Sequence, residues 1–359
     1  SKTPHIVIEN FRGTARVIGA DADEVKVTGR KMVRALQQGD ADKANRQTPF
    51  ELISQGDQVV VRTNQDRVNG GYRISADLEL TVPKGASLEA RGRYGDFDIS
   101  NLAGGVQINS DNAGVRLQDI GGDVNLDLRR SDLIRAVNVK GGVDVRGHGS
   151  DIDLQNVAGQ VTVNGVYTGV VQFHNLAKPL RFQGPQTELN VEKLPGQVRM
   201  ALGDFTGSDL VGPVRLTSRS RDVTISDFTQ SLELSVDRGD IDLRPGKPPL
   251  AKMEVRTRSG DIELALPPAA KFQLKASTRH GEVSNDYGAP LKTEDEGRGA
   301  SLEGAVGDGP AITLTSDRGA VTVRKSSPDD KPLVFPDGEA APKPPKPPFP
   351  DKPLVPQSN

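Results

Sequence analysis

The sequence predicts an all-β chain wound as a single-stranded parallel β-helix, and three observations carry that reading. The first is a recurring hexapeptide: Phe97-Asp-Ile99-Ser-Asn101-Leu102, Val115-Arg-Leu117-Gln-Asp119-Ile120, Ile152-Asp-Leu154-Gln-Asn156-Val157, Val171-Gln-Phe173-His-Asn175-Leu176 and Val223-Thr-Ile225-Ser-Asp227-Phe228. Each reads apolar, x, apolar, x, Asn or Asp, apolar. The second is a strand that follows a Gly-containing step, as in Leu102-Ala-Gly-Gly-Val106-Gln-Ile108, Ile120-Gly-Gly-Asp-Val124-Asn-Leu126, Val139-Lys-Gly-Gly-Val143-Asp-Val145, Val157-Ala-Gly-Gln-Val161-Thr-Val163 and Leu194-Pro-Gly-Gln-Val198-Arg-Met200. The third is the period: the pair recurs about every 18 residues, with single-residue slips, over roughly eight units between Phe97 and Leu243.

Alternation sends one side chain of each strand inward and the next outward, and the Asn or Asp between strands tolerates the left-handed backbone of a tight bend. A strand this short cannot bury its apolar face alone. Stacking coils at about 4.8 Å gives Val, Ile and Leu a continuous core. Ile99, Leu117, Leu126, Val143, Leu154, Val161, Val191, Val198, Val214 and Ile225 are therefore expected to point inward in columns. Handedness is left open, with a right-handed coil favoured.

Residues 1–95 hold longer, less regular strands, among them His5–Ile8, Glu24–Thr28, Gln58–Arg62 and Ala76–Val82, as expected of a segment that caps the stack. Helical spacing competes only between Lys31 and Thr48, where one short helix is expected. Regular coils occupy 96–244. Looser repeats such as Met253-Glu-Val255, Ile262-Glu-Leu264 and Val321-Thr-Val323 close the other end over 245–325. From 326 to 359 Pro, Lys and Asp take over, including Pro342-Lys-Pro-Pro-Lys-Pro-Pro-Phe-Pro350, a composition that forms no core and favours an extended disordered tail.

Composition removes several function classes. The net charge is −2, 4% of residues are aromatic and none is Trp, so neither the basic stripe nor the stacking rings of nucleic-acid recognition are present. No Cys occurs, which excludes disulfides, thiolate metal sites and a thiol nucleophile. The chain opens at Ser1 rather than Met, and no apolar run is long enough to span a bilayer. An upstream export signal is thus expected to have been removed, placing the protein in the periplasm or on the cell surface.

The stretch Ile74-Ser-Ala-Asp-Leu-Glu-Leu-Thr-Val82-Pro-Lys-Gly-Ala-Ser-Leu-Glu-Ala90, followed by Gly95-Asp-Phe-Asp-Ile99, resembles the hallmark of the bacterial "putative adhesin" family. The opening Ile6-Val-Ile-Glu-Asn-Phe-Arg-Gly13 and the recurring Ser/Arg-Gly-Asp-Ile turns are similar to it as well. The resemblance covers nearly everything before the tail. It implies a β-strand-repeat domain and brings neither a ligand nor a catalytic residue with it.

Candidate sites are few. Gly147-His148-Gly149 matches one polygalacturonase triplet, but the accompanying Asn-Thr-Asp, Asp-Asp and Arg-Ile-Lys motifs are absent, so His148 reads as a solvated turn residue without a convergent acid–base partner. The Gly-Gly-x-Gly-x-Asp repeat of calcium-binding nonapeptides is likewise missing. Arg238-Gly239-Asp240 spells an integrin-recognition triplet, yet Arg258-Ser-Gly-Asp261 and Tyr94-Gly-Asp96 fill the same turn, so the repeat accounts for it. With no Trp and 4 Tyr, any sugar contact must be polar.

One constellation remains, an acidic ridge at the corner before the first strand: Asp96, Asp132, Asp151, Glu188, Asp204, Asp222, Asp240 and Asp261. Like charges at coil spacing repel by about 1 kcal/mol even in water. Local hydrogen bonds from corner N–H groups are expected to offset that, with Arg93, Arg130, Arg219, Arg221, Arg238 and Arg258 screening the rest. No cofactor is expected. The sequence thus predicts a non-catalytic surface or envelope solenoid with an unspecified protein or polysaccharide partner. A self-associating scaffold resembling the bactofilins is the alternative, ahead of a polysaccharide-active enzyme.

Overall fold

The structure, a computed structural model, describes residues 3–68, 73–328 and 330. The described residues up to 326 form one compact unit; the expected tail from residue 331 onward lies outside the described residues. Among the described residues thirty strands join in one continuous sheet, and the one α-helix, Gln38–Gln47, falls in the span expected for it.

Each coil supplies two strands, so the sheet has two faces. On the first face Ser87–Tyr94, Val106–Asn112 and the opening half of Val124–Val139 stack in parallel, with Leu88 opposite Val106 and Val106 opposite Val124. On the second, Phe97–Leu102, Val115–Ile120 and the closing half of Val124–Val139 do the same. The strands Val124–Val139 and Val143–Val157 bend from one face to the other, through an irregular register between Leu128 and Ser131. In the regular coils, corner residues in register such as Asp96 and Gly114 or Asp119 and Asn138 lie 18 or 19 apart in sequence. All ten residues expected inward are buried to 2% exposure or less, within one core that runs from Ile6 to Val323.

The corner after the second face is built as its residues require. Asn101, Asp119, Asn138, Asn156, Asn175, Asp209 and Asp227 all take φ between 50° and 59°, the left-handed region that Asn and Asp enter at low cost. Several of these side chains also join hands along the stack. Asn175 Nδ2 donates to Asn156 Oδ1 at 2.8 Å, Asn156 to Asn138 at 3.0 Å, and Asn138 to Asp119 Oδ1 at 2.8 Å. Asp119, an acceptor only, terminates the ladder.

The coils do not all run the same way. Leu180–Gln183 turns through Gly184, whose N–H donates to the Thr187 carbonyl at 3.0 Å, into the antiparallel Thr187–Val191. Leu194–Ala201 then runs antiparallel to Val171–Leu176 on the second face. A tight turn restores the original direction in Asp204–Val211: Leu202 and Gly203 both have positive φ, as a type I′ two-residue hairpin loop requires, and Leu202 is 98% exposed. Leu194-Pro-Gly-Gln-Val198 is therefore not the glycine step into a first-face strand that its spelling suggests; Leu194 opposes Leu176 and Val198 opposes Phe173. Alternation is symmetric under reversal, so Val191 and Val198 stay inward although their coil is inverted.

Both ends are interlocked. The strand His5–Arg12 lies between Gln58–Arg62 and Ser87–Tyr94, parallel to both, and Ala15–Ala20 lies between Arg73–Pro83 and Phe97–Leu102. At the other end Ala311–Ser316 inserts between Lys252–Ser259 and Phe272–Thr278, and Val321–Lys325 between Ile262–Leu266 and Val283–Asp286. The first and last coils in sequence are thus both one place inside the stack. Antiparallel strands cover most of what is left open: Lys26–Arg34 on Arg73–Pro83, Glu51–Gln55 on Gln58–Arg62, and the hairpin of Lys292–Glu296 with Gly299–Val306 on Phe272–Thr278. Lys26, Arg30, Lys31 and Arg34 charge the first of these edges, which discourages edge-to-edge pairing.

Candidate functional site

Six of the eight ridge residues fall in one column at the start of the second face, read from register as Asp77, Thr14, Asp96, Gly114, Leu133, Asp151, Val170, Ala201, Asp204, Asp222, Asp240, Asp261, Ala320 and Glu282. Asp204, Asp222, Asp240 and Asp261 stand on four successive rungs. Asp132 is exposed and displaced by one residue, because Leu133 is the residue that pairs with Asp151. Glu188 is on the first face, opposite Gln183 and Thr217, because its coil is the inverted one.

Six of the carboxylates in the column accept hydrogen bonds from backbone N–H groups of the adjoining coil. Asp96 Oδ1 accepts from Gly114 N at 2.9 Å, Asp151 from Val170 N at 2.8 Å, Asp222 from Asp240 N at 2.9 Å, Asp240 from Asp261 N at 2.8 Å and Asp261 from Ala320 N at 2.7 Å. Asp77, which the sequence pattern did not single out, binds Thr14 N at 3.1 Å and Thr14 Oγ1 at 2.8 Å in the same manner. Its coil is separated from its neighbour by some sixty residues of sequence, so no local repeat flags it.

A carboxylate here does the work of a cap. The chain must pass from one face to the other, the ladder N–H at the corner loses its carbonyl partner, and an ionised Asp supplies a stronger acceptor. The preceding glycines complete the turn. Gly239, Gly260 and Gly319 have φ of 141°, 148° and 144°, and a Cβ on each would stand 2.0–2.1 Å from a carbonyl of the previous coil. Arg238-Gly239-Asp240 is thus a corner in which Gly is forced by backbone approach and Asp by the cap.

Arg221 is tied to this column, donating to the Asp204 carbonyl and to Thr187 Oγ1, both at 3.0 Å. Its partial burial lowers its pKa, against the opposing pull of the Asp204 charge. It thereby clamps the inverted coil to the one that follows. His148 is exposed beside Val166. Its flanking Gly147 is required by a Cβ position 1.6 Å from the Leu128 carbonyl oxygen. Tyr167 fills the space above Gly149, and burial pushes its hydroxyl pKa upward.

Among the described residues no group of three or more His, Asp or Glu side chains is placed to hold a metal ion. With each capped carboxylate already bound to the backbone, we expect calcium to raise the melting temperature by no more than sodium chloride of equal ionic strength. A saturable calcium-specific rise in a calorimetric titration would give the column a ligand-binding role instead.

A two-faced β-solenoid with asparagine corners and aspartate-capped turns defines the class of this protein. The chain belongs to the Toastrack DUF4097 family, whose profile matches residues 5–324. No curated protein matches it. Among solved structures it is similar to a putative cell adhesion protein from Clostridium sporogenes ATCC 15579, at 9% identity over 91% of this chain and 94% of that one, with a TM-score of 0.18.

Proposed function

We propose that this chain is a non-catalytic surface interaction protein that holds an extended polar polymer along the outside of its coils. The supporting observation is the outer first face, where Gln107, Asn125 and Asp144 stand in register on three successive coils and Asn109, Asp127 and Arg146 form the next row. Such rows of planar polar groups suit repeated hydrogen bonding to hydroxyls, and coil spacing repeats the contact along one axis. Exported placement and an adhesive role belong to the same reading. Among the described residues no helix is long and apolar enough to cross a membrane.

The test is a binding array of envelope and extracellular polysaccharides probed with the purified chain, with chromatography of the same polymers after prolonged incubation. Retention without shortened products is expected; release of oligomers would make the protein an enzyme, and retention by no polymer would remove the reading. A second reading, self-assembly, draws on the edge strand Glu51–Gln55, where Leu52 is 56% exposed. A mass that grows with concentration in light scattering would favour it.

A further inference from the structure

At the corner where the first-face strands of the N-terminal coils end, a groove of about 880 Å³ opens among Glu9, Phe11, Arg62, Arg91, Arg93, Asp111, Asp127 and Arg129. That volume is of the size that holds one or two sugar units. Its charge arrangement differs from the ordinary solvated pairs elsewhere on the surface, because each of two carboxylates faces two guanidinium groups. Glu9 is 2.6 Å from Arg62 Nε and 4.0 Å from an Arg91 nitrogen; Asp111 is 3.3 Å from Arg93 Nε and 3.5 Å from an Arg129 nitrogen. Three of those four contacts are longer than a filled Arg–carboxylate fork, so donor capacity is left over on Arg93 and Arg129 and on the Arg91 nitrogen that faces Glu9, the rest of Arg91 being held by Glu89 at 2.6 Å.

The donors are held in place. The Arg93 guanidinium stacks 5.2 Å from the Phe11 ring and 5.6 Å from that of Tyr94, which fixes its plane before a ligand arrives. Ser110 also lines the groove, and its buried hydroxyl has no hydrogen-bond partner. Alongside the arginines stand Asn109, Asp66 and Asp127, and among the described residues neither acid forms an ion pair. Those acids oppose a polyphosphate, which would bring only acceptors to them, and suit an acidic peptide less than a sugar, since a peptide offers one N–H per residue where a sugar ring offers two or more hydroxyls. A sugar bearing one carboxylate per ring would place that group on the arginines and donate its hydroxyls to Asp127, Asp66 and Asn109.

From this we propose that the groove is a binding subsite for an acidic saccharide, a uronate unit held by Arg91, Arg93 and Arg129 with its hydroxyls on Asn109 and Asp127. It names a ligand class for the polymer-binding reading above and rests on it. The experiment is calorimetric titration of the full chain with a hexameric oligogalacturonide, its methyl ester, a neutral cello-oligomer and oligoglutamate of equal charge. The acidic saccharide is expected to bind, and Kd is expected to rise at least tenfold in both Arg129→Gln and Arg91→Gln. Arg129 is 80% exposed, and Arg129→Gln leaves Asp111 with Arg93, while Arg91→Gln leaves Glu9 with Arg62 and Glu89 with His5 at 3.6 Å, so folding is retained. No binding of the hexamer, equal binding of its ester or of oligoglutamate, or an unchanged Kd in both variants would overturn the proposal. Retention of neutral polymers alone on the array would leave polymer binding standing while removing this subsite.

Discussion

Replacing Leu154 by Asp is expected to abolish cooperative folding of the central coils. Leu154 is fully buried between Ala136 and Phe173 in the second-face column. A carboxylate there finds no partner, and the substitution adds the loss of a leucine to the burial of an unpaired charge, at a cost of about 4 kcal/mol or more. In a stack that contacts only nearest neighbours, such a loss spreads to adjoining coils before it reaches the ends. Far-ultraviolet dichroism should therefore fall and the melting transition broaden. Hydrogen exchange gives the finer readout: Ile6–Ile8 and Val321–Val323, each clamped between two parallel neighbours, should stay protected while Ile152–Leu154 opens. Full protection at 152–154 in the variant would overturn the register.

The second large effect is expected from Gly260→Val. The new Cβ would lie 2.0 Å from the Gly239 carbonyl oxygen, a backbone atom that cannot rotate away, and a β-branched residue would be forced to φ of 148°. Conformational strain and steric displacement together cost about 3–5 kcal/mol. The Asp240 and Asp261 caps, which bracket that position, would part with it. Gly203→Ala makes the control: its φ is 92°, but nothing lies within 4 Å of the added methyl, so only about 1 kcal/mol is expected. Similar melting temperatures for the two variants would show that close coil approach does not explain the corner glycines.

Much of the corner chemistry was legible in the sequence because it is local. Asn or Asp at the fifth position of each hexapeptide implies left-handed backbone, and all five adopt it, as do Asn138 and Asp209 in coils outside that set. The expectation that corner acids are held by backbone N–H groups matches five of the eight ridge residues, Asp96, Asp151, Asp222, Asp240 and Asp261, although the donors come from the next coil rather than their own. Asp132 and Glu188 could not be told apart from them by spelling. One misses the column by a single register step and the other by a chain reversal, and each has the same flanking alternation as a true member. Asp77 was passed over for the converse reason, since its partner Thr14 lies in a different part of the sequence.

By itself the sequence determined the coil length, which side chains enter the core, and where most of the bends in the regular coils fall. These follow from period-2 alternation and single-residue backbone preference, and both act over a few bonds. Only the tertiary structure decided the order of the coils at the two ends, the inversion of residues 187–201, and the meeting of arginines from three coils in one groove. Every strand here carries much the same apolar pattern, so its sequence suits many partners in either direction. The choice among them is made by the long-range ladder hydrogen bonds and by the side chains that fill each column, contacts that exist only once the coils have stacked.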